Sequence, residues 1–194
     1  VAKTIGLDPR IGKLFLNAGP GYGGSCLPKD MKALINFASS VGVKPILLDA
    51  VEEINKKQIQ QIIELIENKL NSVSSKRITV MGTSFKPDTD DVRDSVSIEL
   101  IKKLLKMKAK VTVYDPKAIE NTKKIFGDKI SYKNSVSDAL NKSQCAIFMT
   151  YWKEFEKINN KSMHQMKRKL IIDCRRIFTK EKISEEYYAL GIGK

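Results

Sequence analysis

The 194-residue sequence holds one histidine, one tryptophan and three cysteines, at positions 26, 145 and 174. The cysteines form neither a CxxC pair nor an even framework, which argues against a disulfide scaffold and a zinc site and makes a reducing cytoplasm the expected compartment. His164 lies in a basic, polar segment with no partner in sequence, so its expected place is the surface. That removes Cys–His and Ser–His–Asp catalysis from consideration. No apolar run approaches the roughly 18 residues of a membrane helix, and residues 1–7 lack a basic stretch followed by an apolar one. Disorder is excluded by an ordinary apolar fraction of 42% spread along the chain. Neither an internal repeat nor a low-complexity tract is present.

Acidic side chains are scarce: 22 against 35 basic ones, a net charge of +13. The excess is uneven. Residues 1–75 carry 9 basic and 7 acidic side chains, while residues 76–194 carry 26 and 15. A basic second half suits nucleic acid, an anionic membrane or a phosphorylated small molecule, and equally a solvated lysine-rich surface. Charge alone does not choose among them.

The first part of the chain reads as helix. After Pro28, apolar Met31, Leu34, Ile35, Ala38 and Val41 recur at helical spacing until Gly42. A second helix is expected at about 49–70, with a broad stripe of Val51, Ile54, Ile59, Ile62, Ile63, Ile66 and Leu70. A stripe that wide predicts either a bridge between domains or dimerisation against a second copy. Residues 71–75 (NSVSS) are polar and are the best linker candidate.

From Lys76 onward, short β-branched runs at 77–81 (RITVM), 110–114 (KVTVY), 145–149 (CAIFM) and 170–173 (LIID) read as strands buried on both faces. Helical stretches alternate with them, most clearly at 95–108. The expected fold class is therefore α/β: a helical dimerisation segment over 1–75, then a Rossmann-like, doubly wound parallel-sheet domain over 76–194. The first strand–helix turn, MGTSFKP, has one glycine where GxGxxG has three, so its backbone is not built to approach a pyrophosphate. A full dinucleotide site within this chain is not expected.

The segment with most chemistry is 17–30, NAGPGYGGSCLPKD. Four glycines and a proline precede Cys26, and Pro28 favours a helix start immediately after it. A thiol at a helix N-terminus is favoured as thiolate by the macrodipole and free amides. Lys29 adds positive charge, and Asp30, four residues on, is placed to order a water or the cysteine proton. A lone cysteine is ordinarily a small buried hydrophobe. That ordinary role is expected for Cys145 and Cys174, which lie inside the expected core strands, whereas the convergence at Cys26 favours a nucleophile.

GPGYGGSCLPKD resembles the catalytic-cysteine motif of the UDP-glucose/GDP-mannose dehydrogenase family. The block at 82–95 (GTSFKPDTDDVRDS) looks like that family's motif in its C-terminal nucleotide-sugar-binding domain. VTVYDP at 111–116 resembles the strand that follows, and DPRIG at 8–12 precedes the cysteine motif at the family's spacing. The resemblance spans essentially the whole chain and is strongest to the branch that oxidises UDP-glucose to UDP-glucuronate with two NAD. It implies a nucleophilic Cys26 that captures the C6 aldehyde and passes through a thioester, with Asp30 assisting hydrolysis.

The same resemblance implies substrate contacts from Phe15, Leu16, Asn17, Ala18, Gly19 and Gly23, from Phe85 and Lys86, and from Arg10 reaching into a partner subunit. It implies cofactor contacts from Lys29 and Arg93. Asp173-Cys174-Arg175 resembles a DGR segment with the glycine replaced, and Arg175 is the corresponding substrate or cofactor contact. Family members begin with an NAD-binding Rossmann domain, so this chain is expected to be a central and C-terminal portion that does not turn over alone. The catalytic lysine and asparagine would precede residue 1, and no metal is implied. The expected partners are a UDP-sugar and a second copy of the chain, with neither nucleic acid nor membrane. Competing expectations are a GDP-mannose or UDP-N-acetylhexosamine dehydrogenase and, more remotely, a basic nucleic-acid-binding module. The last would need aromatic or arginine-rich interleaving, whereas the excess charge is mostly scattered lysine.

Overall fold

Apolar, β-branched residues at 77–81, 110–114, 145–148 and 170–173 place the central strands where their side chains are covered on both faces. In the computed structural model, which describes residues 1–13, 16–183 and 186–192, these are β1 (Arg77–Met81), β2 (Lys110–Tyr114), β4 (Cys145–Phe148) and β5 (Leu170–Asp173). Two short edge strands, β3 (Ser131–Tyr132) and β6 (Tyr187–Ala189), complete the sheet. The order is β3-β2-β1-β4-β5-β6 and every pair is parallel. This is the doubly wound order, with its reversal between β1 and β4.

Helices α1 (Ala2–Ile5), α2 (Leu27–Ser40) and α3 (Ile46–Leu70) precede the sheet. Helices α4 (Val96–Lys106), α5 (Ile119–Phe126), α6 (Val136–Leu140) and α7 (Lys180–Ile183) follow its strands. Ser95 caps α4: its Oγ accepts the Ser97 amide at 3.3 Å and donates to the Thr83 carbonyl at 2.7 Å. One hydroxyl thus joins the helix start to the turn after β1.

The two halves of α3 meet different surroundings. Ile62, Ile63, Ile66 and Leu70 are buried in the core formed with β1, β2 and α4, whereas Ile46, Leu47, Val51 and Ile54 are exposed. The dimer stripe expected over 49–70 is therefore corrected. The sheet domain covers its C-terminal half, at about 1.5–3 kcal/mol per buried aliphatic side chain. The apolar surface left open is made instead by the start of α3 and by Leu34 and Phe37 of α2. Residues 71–75 are a tight connection rather than a loose linker. Asn71 ends α3 in the left-handed region, Val73 is buried in the core, and the Ser75 amide donates to the Lys108 carbonyl at 2.9 Å.

Part of the net charge has a structural use. Arg77, Lys110, Lys142 and Lys167 surround a cavity of about 380 Å³ at the N-terminal edge of the sheet. Helices α3, α4 and α6 end a few residues before the strands that start there, and cations offset their negative C-terminal ends.

Candidate functional site

Ligands of doubly wound sheets lie beyond the C-terminal strand ends where the strand order reverses. Here that place is framed by the turn after β1 and by the segments that follow β4 and β5. Gly82, at φ +91°, ends β1 against β4: a Cβ there would lie 2.5 Å from Thr150 Cβ. The single glycine of this turn serves strand packing and not a phosphate. The segment 83–95 then folds back on itself, with the Phe85 amide donating to the Asp91 carbonyl at 3.1 Å and Thr150 Oγ1 to the Ser84 carbonyl at 2.6 Å.

Asp115, directly after β2, holds this turn from beneath. It is 2% exposed and accepts from the backbone amides of Thr83, Ser84, Lys117 and Ala118, from Ser84 Oγ and from Trp152 Nε1, at 2.7–3.2 Å. A carboxylate with that many internal donors is not free for a ribose hydroxyl. With one glycine and a committed aspartate, the turn does not fit a dinucleotide.

What covers the strand ends instead is the glycine-rich segment leading to Cys26. A Cβ at Gly19 would overlap the Arg175 guanidinium, and one at Gly23 would overlap the Asp94 carbonyl. Gly24, at φ +89°, faces Phe85, whose Cδ2 would lie 2.6 Å from a Cβ. Three glycines thus bring this backbone against the segments after β1 and β5; a side chain at Gly23 would meet backbone, whereas at Gly19 and Gly24 it would have to displace the side chains of Arg175 and Phe85. The far side of the loop is held by α3. Asn55 Oδ1 accepts the Tyr22 amide at 2.8 Å, Asn55 Nδ2 donates to the Tyr22 carbonyl at 3.1 Å, and the Tyr22 hydroxyl bonds to buried Glu52.

Cys26 emerges from this loop as the exposed N-cap of α2, one residue before the helix and two before Pro28. No side-chain cap bond forms there, and Ser25 Oγ is 3.7 Å from the thiol sulfur. The Asp30 amide donates to the Cys26 carbonyl at 2.8 Å, which stacks Cys26 and Asp30 one turn apart. Arg93, in the block after β1, is held chiefly by its pair with Asp91, with only a minor electrostatic influence from Cys26. Arg175 is half-buried, and its Nε donates to the Met149 carbonyl at 2.8 Å. Burial pulls its guanidinium below the usual arginine range, which means that its charge is under-solvated where it faces Gly19. An anion at this place would relieve that cost.

Residues 79–180 match the UDP binding domain of the UDP-glucose/GDP-mannose dehydrogenase family, and residues 1–57 match its central domain. The chain belongs to that family. It is 42% identical over 180 residues to UDP-glucose 6-dehydrogenase AglM of Haloferax volcanii, covering 93% of this chain and 41% of that one. To UDP-glucose 6-dehydrogenase TuaD of Bacillus subtilis it is 38% identical over 197 residues, covering 98% and 42%. A UDP-glucose dehydrogenase structure from Pyrobaculum islandicum superposes with a TM-score of 0.83 at 32% identity, covering 97% of this chain and 41% of that one. The chain spans about two fifths of the length of the curated relatives it matches.

Within this dehydrogenase-family chain, the expected site residues fall into groups. Gly19 and Arg175 touch, Gly23 meets the block at 82–95, and Phe85 lies against Gly24 with Lys86 Nζ 5.5 Å from its ring centroid. Lys86 is exposed. Arg93 forms a forked pair with Asp91, Nη2 to Oδ2 at 2.7 Å, and Lys29 Nζ lies 3.4 Å from Asp30. Leu16 and Ala18 are half-buried and Asn17 is exposed. Phe15 lies outside the described residues. Arg10 is not brought to the others: it is held by its neighbour Asp8, Nη2 to Oδ2 at 2.7 Å, and points into solvent.

Cys174 and Cys145 are fully buried, and burial pushes both thiols up. At the DGR-like segment the glycine position is filled by this packed Cys174, and Arg175 follows it, half-buried. Among the described residues no cluster of His, Cys, Asp and Glu could hold a metal, and no helix is long and apolar enough to cross a membrane. Sequence reasoning missed Tyr22, Glu52, Asn55 and Trp152. Asp115 was visible as the aspartate after β2, but its inward role was not.

Proposed function

We propose that this chain is the sugar-nucleotide and cysteine-bearing portion of an NAD-dependent dehydrogenase that oxidises UDP-glucose to UDP-glucuronate. The observation that supports this reading is the docking of residues 19–24 over the strand ends, where Gly19 meets Arg175, Gly23 meets Asp94 and Gly24 meets Phe85, just before Cys26. The diphosphate belongs near Arg175, Lys86 and the backbone of 16–19, with the glucose toward Gly23 and Cys26. The names of the relatives support UDP-glucose over another nucleotide sugar.

In this reading NAD, when bound, would supply the hydride acceptor for both oxidations. It is held mainly by a domain outside this chain, with Lys29 and Arg93 as the cations here that meet it. The thiolate of Cys26 adds to the C6 aldehyde carbon, and the carbonyl oxygen takes up the charge. Covalent capture keeps a reactive aldehyde from leaving between the oxidations. Loss of the second hydride turns this hemithioacetal into a thioester; water then attacks the thioester carbon, the C–S bond breaks with the sulfur leaving as thiolate, and Asp30, one turn along α2, orders that water and takes its proton. A second copy covers the apolar face of Leu34, Phe37, Ile46, Leu47 and Ile54, and the protein works in the cytoplasm as a homodimer.

Calorimetric titration of the chain with UDP-glucose, GDP-mannose and UDP-N-acetylglucosamine tests the reading. UDP-glucose should bind most tightly. Preference for GDP-mannose or UDP-N-acetylglucosamine would reassign the substrate, and no binding of any of them would remove the site.

A further inference from the structure

We propose that Asn55 and Glu52 of α3 are positioning residues that set where Cys26 stands. This rests on the reading of Cys26 as nucleophile. Tyr22, four residues before the cysteine, is gripped at three atoms by one turn of helix. Its N–H and C=O both bond to the Asn55 amide, at 2.8 and 3.1 Å, and its hydroxyl bonds to Glu52. Burial, with Glu52 beside it, pushes the phenol up to about 12, so the hydroxyl remains a donor across the neutral range. Gly21 lies so near that a Cβ there would be 2.5 Å from Asn55 Oδ1, which leaves no room for the loop to shift toward the helix.

Only a side chain with both a donor and an acceptor at that reach can bond both sides of one peptide residue. Aspartate lacks the donor, and glutamine is longer by a methylene. Lys56 Nζ lies 3.7 Å from the second Glu52 oxygen, which keeps that carboxylate facing the loop. The grip is rigid because the same helix is anchored two turns further on. Ile62, Ile63 and Ile66 are at most 4% exposed in the sheet-domain core. Asn55 to Ile62 spans about 10 Å of helix at 1.5 Å per residue. The cysteine loop is therefore referenced to the sheet domain twice, directly through Gly19, Gly23 and Gly24 and indirectly through α3. A nucleophile misplaced by about 1 Å loses on the order of a hundredfold in rate, so a double reference has a purpose.

The test uses Asn55→Ala, Asn55→Asp and Tyr22→Phe in this chain, with amide hydrogen exchange and iodoacetamide labelling of Cys26 in the presence and absence of saturating UDP-glucose. In Asn55→Ala, exchange at 21–24 should quicken at least tenfold while β1 and β4 stay protected. UDP-glucose affinity should stay within about threefold, yet its protection of Cys26 from labelling should fall by half or more. Asn55→Asp should lie between this variant and the parent chain. Tyr22→Phe, which removes one hydroxyl, keeps the test open if Asn55→Ala unfolds, and should quicken exchange at 21–24 two- to fivefold. Unchanged exchange at 21–24, or unchanged protection of Cys26 with a loosened loop, would overturn the assignment. Absence of protection in the parent chain would instead overturn the reading of Cys26, and the exchange result would stand apart from it.

Discussion

The Arg175 guanidinium lies against the Cα of Gly19, so closely that a single methyl group on the glycine would occupy its place. Two residues 156 positions apart thereby meet beyond the C-terminal ends of the strands. The guanidinium is under-solvated there and has its Nε fixed on the Met149 carbonyl, with Nη1 facing Gly19.

Gly19→Ala and Gly23→Ala should differ in their effects. At Gly19 the clashing group is the end of a flexible arginine, which can move, so stability should fall by less than about 1 kcal/mol while UDP-glucose affinity drops. At Gly23 the clash is with the Asp94 backbone carbonyl, and relief requires a backbone shift costing about 1–3 kcal/mol. Hydrogen exchange at 19–26 together with urea unfolding separates the two.

Asp115→Ala should destabilise the sheet domain by on the order of 2–4 kcal/mol, because several buried donors lose their acceptor at once. Chemical denaturation followed by the fluorescence of Trp152 measures this at the affected spot. A loss below about 1 kcal/mol would mean that water replaces the carboxylate.

Lys86→Ala should weaken UDP-glucose binding by about 1–3 kcal/mol, the range for a lost charged hydrogen bond. Added salt should weaken binding in the parent chain, and less so in the variant, because Lys86 is exposed and screened. Titrations at two ionic strengths give both comparisons.

The Arg168–Glu186 pair gives a pH signature. A hydrogen bond from Arg168 holds the Glu186 carboxyl below its ordinary 4.5, with Nη2 2.5 Å from Oε1. A folded-state value lower than the unfolded one stabilises above about pH 4.5, and the contribution is lost as pH falls through the lowered value. Both side chains are more than a third exposed, so the contribution is about 0.5 kcal/mol. Thermal unfolding of Glu186→Gln should therefore show a small deficit at neutral pH that vanishes in acid.

How much of this was legible in the sequence depended on how local its cause was. Strands β1, β2 and β5 were placed to the residue because β-branched apolar runs report two-sided burial. Strands β3 and β6, two and three residues long, carry no period to read. The stripe of α3 was visible, but periodicity does not say what covers it, and the change from core to surface between Ile62 and Ile54 is a tertiary fact. The glycines before Cys26 suggested a loop that passes near a ligand. The structure shows that Gly23 and Gly24 pass near Asp94 and Phe85 of the same chain. Tyr22 and Asn55, 33 residues apart, meet only because α3 runs back beside the loop.

Iodoacetamide labelling mapped by mass spectrometry tests the central claim most directly, that Cys26 stands at the sugar end of a nucleotide-sugar site. Cys26 is exposed at a helix N-cap, whereas Cys145 and Cys174 are 0% exposed. The account predicts that Cys26 is modified first and that saturating UDP-glucose slows its modification severalfold, while free glucose does not. Modification of Cys26 at the same rate with UDP-glucose bound, or faster modification of Cys145 or Cys174, would contradict it.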